Sequence, residues 1–113
     1  MDIETLREIC KDLPHVTEDV KWGNDLCFLI GEKMFCVTGF EKPMTVSLKV
    51  TDEEFHELSN SPDIIVAPYV GRYKWILIED VSRFTVEEWK HYIAQSYNLV
   101  KAKLPKKVLD RLK

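Results

Sequence analysis

Residues 26–38 read LCFLIGEKMFCVT, two apolar-rich runs on either side of Gly31-Glu32. Each run is short and rich in residues that favour strands, and the glycine that opens the break suits the first position of a two-residue type II′ hairpin turn. A hairpin closed on Gly31 and Glu32 pairs position i with 63 minus i, which sets Cys27 opposite Cys36. In such a non-hydrogen-bonded pair the Cα atoms are ~4.5 Å apart, inside the range that a disulfide tolerates. Two small buried apolar side chains are the simpler reading. The odd count of three cysteines, Cys10, Cys27 and Cys36, does not suit a secreted disulfide framework and points to a reducing compartment.

Working outward from the hairpin, residues 44–50 form a third strand with clean alternation. Met44, Val46, Leu48 and Val50 point one way and Thr45, Ser47 and Lys49 the other, so one face of the sheet is expected to be wet. On the N-terminal side, Asp2 can cap a helix to about Lys11 that carries Ile3, Leu6, Ile9, Cys10 and Leu13 on one face, with Pro14 marking its end. A polar connector through Val16 to Trp22 and Gly23 leads into the hairpin. After the third strand, Thr51 with Glu54 is a capping-box signature for a short helix bearing Phe55 and Leu58, stopped by Asn60, Ser61 and Pro62. Two strands follow at residues 64–67 and 75–79. A second capping box, Thr85 with Glu88, starts the longest periodic segment, in which Val86, Trp89, Ile93, Tyr97, Val100 and Leu104 recur at helical spacing. Pro105 suits the first turn of a last helix with Val108, Leu109 and Leu112. The order α-βββ-α-ββ-αα, with strands and helices segregated, predicts an α+β fold: an antiparallel sheet with helices packed on one face.

The chain has 113 residues, which fits one domain over residues 1–113. With 45% hydrophobic and 31% charged residues it has the composition of a folded globular protein. Its apolar runs are far shorter than the ~20 residues that span a bilayer. The opening residues MDIETLREIC are acidic and amphipathic rather than basic followed by an apolar core, so a cytoplasmic location without membrane contact is expected. A net charge of −3 argues against a protein dominated by phosphate binding, but the average hides an asymmetry. Residues 98–113 carry Lys101, Lys103, Lys106, Lys107, Arg111 and Lys113 against Asp110 alone, leaving ten bases and eighteen acids elsewhere. Such a basic end is either a solvated helix surface or an electrostatic footprint for an anionic partner.

Signals for catalysis are weak. Gly23, Gly31, Gly39 and Gly71 are too scattered for a loop that cradles phosphates. His15, His56 and His91 lie in separate elements, with no cysteine at zinc spacing. Ser96 with His91 or Asp80 lacks the elbow motif of a nucleophilic serine. Glu4, Glu8 and Asp12 stack on one helix face and could hold a hard cation, but Arg7 and Lys11 beside them favour a self-neutralised surface. The reading is a non-enzyme without cofactor or metal.

Trp22-Gly23, Gly31-Glu32-Lys33-Met34-Phe35, Val46-Ser47-Leu48-Lys49, Ala67-Pro68-Tyr69-Val70-Gly71-Arg72 with Trp75, and Ser96-Tyr97 followed by Leu104-Pro105-Lys106-Lys107 together resemble the MmcQ/YjbR family. The resemblance implies a small α+β domain related in fold to the frataxin and CyaY-like group, with a double-wing arrangement and a DNA-binding role attached to the family largely through its shape. It also implies a characteristic patch of Trp22, Lys33, Phe35, Lys49, Tyr69, Gly71, Arg72, Trp75, Tyr97 and Lys106.

Cations and aromatics of this kind can contact phosphates and stack on bases. The expected function is therefore non-catalytic nucleic-acid binding through Lys33, Lys49, Tyr69, Arg72, Tyr97, Lys101, Lys103, Lys106 and Lys107, with DNA as partner. The alternative is a protein-interaction or small-anion-binding domain in which the same patch forms a pocket. Shape separates the two, because a small ligand needs these side chains to converge on a concavity.

Overall fold

A computed structural model describes residues 1–68 and 70–112, with Arg72 described by its backbone alone. Helix α1 (Ile3–Lys11) starts where Asp2 accepts the Thr5 N–H, and Leu6 and Cys10 are its buried residues. Thr51 and Thr85 form complete capping boxes with Glu54 and Glu88, opening α2 (Asp52–Leu58) and α3 (Val86–Lys101). Pro105 directly precedes α4 (Lys106–Arg111). Short 3-10 turns occupy Gly71–Tyr73 and Val81–Arg83.

The strands are β1 (Thr17–Lys21), β2 (Asp25–Ile30), β3 (Lys33–Gly39), β4 (Val46–Lys49), β5 (Ile64–Val66) and β6 (Trp75–Ile78). They form one antiparallel sheet in the order β1-β2-β3-β4-β6-β5. The sheet has one strand more than the sequence pattern predicts. β1 occupies the expected polar connector: its residues TEDVK contain a single apolar side chain, because an edge strand can remain polar and its charges discourage further pairing. Glu18 of β1 receives the Arg7 guanidinium of α1 at 2.7 Å, which holds the Glu18 carboxyl below its usual range. Glu4, one of the three stacked helix carboxylates, also meets Arg7, at 3.4 Å.

The hairpin turn falls at Gly31-Glu32, but both residues have positive φ, +55° and +68°, which is the type I′ signature rather than type II′. Glycine at position 31 has a second reason. A Cβ there would stand 2.7 Å from Leu104 Cδ1 and 2.8 Å from Val108 Cγ1, so the tip packs closely on the C-terminal helices.

A β-bulge then corrects the predicted pairing. Ile30 pairs with Lys33 and Leu29 with Met34, as the simple hairpin requires, but Phe28 pairs with Cys36 and Cys27 with Val37. The extra residue is Phe35. It places Cys27 and Cys36 on opposite faces of the sheet, so they cannot be the facing pair, and all three cysteines are free. Cys36 instead meets Cys10 of α1 in the core, and that hydrogen bond together with burial pushes the Cys10 thiol up.

α1 and α3 cover one face of the sheet, where Leu26, Phe28, Ile30, Cys36, Val46, Leu48, Ile64, Ile76 and Ile78 meet Leu6, Trp89, Ile93 and Tyr97. Val86 at the head of the expected stripe is the exception at 48% exposed, since it lies in the first turn before α3 reaches the sheet. The bulge also explains how α3 is fixed. Ser96 is fully buried, donates its hydroxyl to the Phe35 carbonyl and accepts the Lys49 N–H at 2.9 Å. Groups at the bulge and at the end of β4 are thus satisfied by one side chain.

Candidate nucleic-acid interface

The predicted site residues separate into three groups. Tyr97 is in the core: it is 3% exposed, its ring meets Phe35 edge-on with centroids 5.4 Å apart, and its hydroxyl donates to the Pro14 carbonyl at 2.6 Å. It is not a surface residue that could stack on a base, and burial raises its pKa. Helical spacing places it on the buried stripe, and that signal outweighs its membership of the patch. Phe35 is likewise fully buried. Tyr69 lies outside the described residues, as does the side chain of Arg72.

The second group is cationic and gathers at one end of the molecule. Lys49 closes β4, and its ammonium donates to the carbonyl of Tyr73, the residue after Arg72. The Gly71–Tyr73 turn carrying Arg72 is therefore tied to Lys49. Burial pushes the Lys49 pKa down, nearby Lys103 pushes it the same way, Asp52 opposes and Lys74 adds to the depression. The hairpin tip at Gly31, two residues before the exposed Lys33, rests on Leu104 and Val108. Lys103, Lys106 and Lys107 flank these contacts in sequence and are exposed. Lys101 lies with its ammonium 5.6 Å from the centre of the Tyr97 ring, a cation–π contact. Among the described residues, none of Lys33, Lys49, Lys101, Lys103, Lys106 and Lys107 forms an ion pair with a carboxylate. Lys74 also belongs to this end, near Lys49 and 5.0 Å from the Phe55 ring centre, and sequence reasoning missed it. It stands at φ +66° at the end of the 3-10 turn, a position that no local pattern announces.

The third group belongs to the other face of the sheet. This face was expected to be wet. On it an open concavity of about 960 Å³ runs over Met34, Val37, Ser47, Trp75 and Leu77, walled by Trp22, Asn24 and Asp25, by Glu41, Lys42, Pro43 and Thr45, and by Ala67, Pro68 and Val70. Trp22 stands at its rim, 70% exposed, while Trp75 is 6% exposed. Apolar side chains had been expected only on the helix-covered face, because the alternation in residues 44–50 is clean and that in β3 is broken by the bulge. Among the described residues the concavity's charged side chains are Asp25, Glu41 and Lys42, so Lys33, Lys49, Lys101, Lys103, Lys106 and Lys107 do not converge there.

No group of three His, Cys, Asp or Glu among the described residues is placed to hold a metal ion. No helix among them is long and apolar enough to cross a membrane.

A protein-family model described as YjbR matches residues 11–99. Among solved structures, this chain is similar to Deinococcus radiodurans protein DR2400, whose domain is described as DUF419. The two share 25% identity with a TM-score of 0.85, over 97% of this chain and 86% of that one. It is also similar in fold to a protein from Pseudomonas syringae, at 17% identity and a TM-score of 0.72, over 88% of this chain and 98% of the other. No curated protein matches the sequence.

Proposed function

The chain belongs to the YjbR family, and from the geometry above we propose that it is a non-catalytic nucleic-acid-binding protein, with DNA as its partner in the cytoplasm. The observation that carries this reading is the assembly of cations at one end: Lys49 bonded to the arginine loop, with Lys103 and Lys74 close enough to repel it. Like charges gathered with no carboxylate ion-paired to them among the described residues lower one another's stability, and a polyanion relieves that repulsion while releasing its own counterions. Lys33, Lys101, Lys106 and Lys107 extend the surface, and Arg72 enters through its loop. Tyr97 contributes by supporting Lys101 rather than by touching the nucleic acid.

A double-wing arrangement would present two β-ribbons to the DNA. The Gly31 tip is engaged with Leu104 and Val108, so in this reading the tail helices and the Gly71–Tyr73 turn carry the phosphate contacts. The alternative, a small-anion pocket built from the same patch, is less well supported, because among the described residues Lys42 is the one cation lining the large concavity.

Fluorescence anisotropy of a labelled DNA duplex across a salt series tests the proposal. For about four phosphate contacts, the logarithm of affinity should fall against the logarithm of salt with a slope of roughly −3 to −4. No association at low salt, or a slope near zero, removes it.

A further inference from the structure

We propose that the concavity on the outer face of the sheet is a binding site for an uncharged, planar heteroaromatic small molecule that accepts a hydrogen bond from Trp75. A volume of about 960 Å³ is that of a small-molecule site. The three tryptophans show why this one has a ligand's chemistry. Trp89, fully buried, donates its indole N–H to the Val81 carbonyl at 3.0 Å. Trp75 is 94% buried yet has no acceptor for its indole N–H among the described residues. No side-chain nitrogen or oxygen among them is both sealed from solvent and unbonded. The Trp75 N–H therefore keeps contact with solvent, and its side chain lines the concavity. A buried indole N–H ordinarily finds a protein partner, and here the acceptor is solvent that a ligand can displace.

The surroundings specify the rest. Ser47, which projects from β4 into the same concavity, has a hydroxyl with no protein partner among the described residues. Val37 and Leu77 make an apolar floor beside it. Trp22 is held at the rim with φ +55°, a left-handed conformation that is costly for a bulky residue and keeps its indole in solvent beside the opening. Two indoles lining one space favour a flat aromatic body. Asp25 and Glu41 outnumber Lys42 in the described lining and disfavour an anion, and a simple cation offers nothing to the Trp75 donor.

The probe is quinoline, with naphthalene as the isostere that lacks only the ring nitrogen. In ¹⁵N-labelled protein, quinoline should move the Trp75 indole N–H resonance and leave that of Trp89 unchanged, and naphthalene should bind about tenfold more weakly because it leaves the donor unpaired. Trp75→Phe should bind the two probes equally. No movement of the Trp75 signal, equal binding of the probes to the unaltered protein, or retained preference in Trp75→Phe overturns the proposal. So does sedimentation showing that a second copy of the chain covers this face. If Trp75→Phe fails to fold, the comparison of probes on the unaltered protein decides.

Discussion

The outer-face groove and the cationic end are made from different parts of the same strands. The groove takes its floor from strand interiors, where Val37, Ser47 and Leu77 sit at paired positions and cannot move without breaking the ladder. The cationic end takes its charges from where elements stop: Lys33 at the start of β3, Lys49 at the end of β4, Lys101 at the end of α3 and Lys106 at the start of α4. Long side chains at element ends supply charge with little fixed geometry, whereas short ones on a sheet supply shape. The contrast teaches that the two proposed activities call on different kinds of structure, charge at one place and shape at the other, with Trp75 opposite Lys49 in the sheet register as the point where the two regions meet.

If the regions are independent, replacing Lys103, Lys106 and Lys107 together with Gln should weaken DNA binding on the order of a hundredfold at low salt and flatten the salt slope by about 0.9 per lost contact. Quinoline affinity should be unchanged. Parallel anisotropy and indole titrations check both, and a joint loss would break the comparison. Ser96→Ala should come next. It strips the Phe35 carbonyl and the Lys49 N–H of their shared partner, for an expected loss of about 2–3 kcal/mol in urea unfolding. A loss below about 0.5 kcal/mol would mean that the hydroxyl does not join helix to sheet.

Gly31→Ala forces a side chain into a left-handed position and against Leu104 and Val108, with an expected cost of about 1–2 kcal/mol. Because that tip touches the basic helices and not the groove, DNA affinity should fall more than quinoline affinity. The smallest effect concerns pH. Lys49 has a folded-state pKa below its ordinary value, so between the two values the unfolded chain binds more protons and stability rises with pH. Relative to Lys49→Met, the unaltered protein should gain stability as pH climbs through the lowered pKa toward about 10.5. Urea midpoints at pH 8 and pH 10 measure the difference, and a flat difference would show that Lys103 and burial do not act on Lys49.

Much of this architecture was legible in the residues. Asp2, Thr51 and Thr85 announce their helices because capping is local chemistry, and the stripe on α3 announces the sheet-facing side. β1 escaped because an edge strand needs no apolar alternation, its pairing being supplied by β2. The type of turn at Gly31 escaped because Glu32 adopts positive φ under tertiary packing that no dipeptide reveals. For the candidate site, the basic tail was visible as charge, while Lys74 and the groove arise only when the loops are folded over the strands. Tyr97 shows the opposite error: its place on the helical stripe already foretold burial, and the family patch drew it to the surface.

The inserted Phe35 has a consequence for the whole hairpin. In a regular strand, side chains alternate, so Met34 and Val37, three apart, would look in opposite directions. The insertion resets the parity between them. Phe35 and Cys36 both turn inward, while Met34 and Val37 both line the outer concavity. One added residue thus lets a single strand furnish adjacent pieces of the interior and two pieces of the exterior wall. Removing it would exchange the inward and outward sets along half the strand, costing the domain its centre and its groove at a stroke.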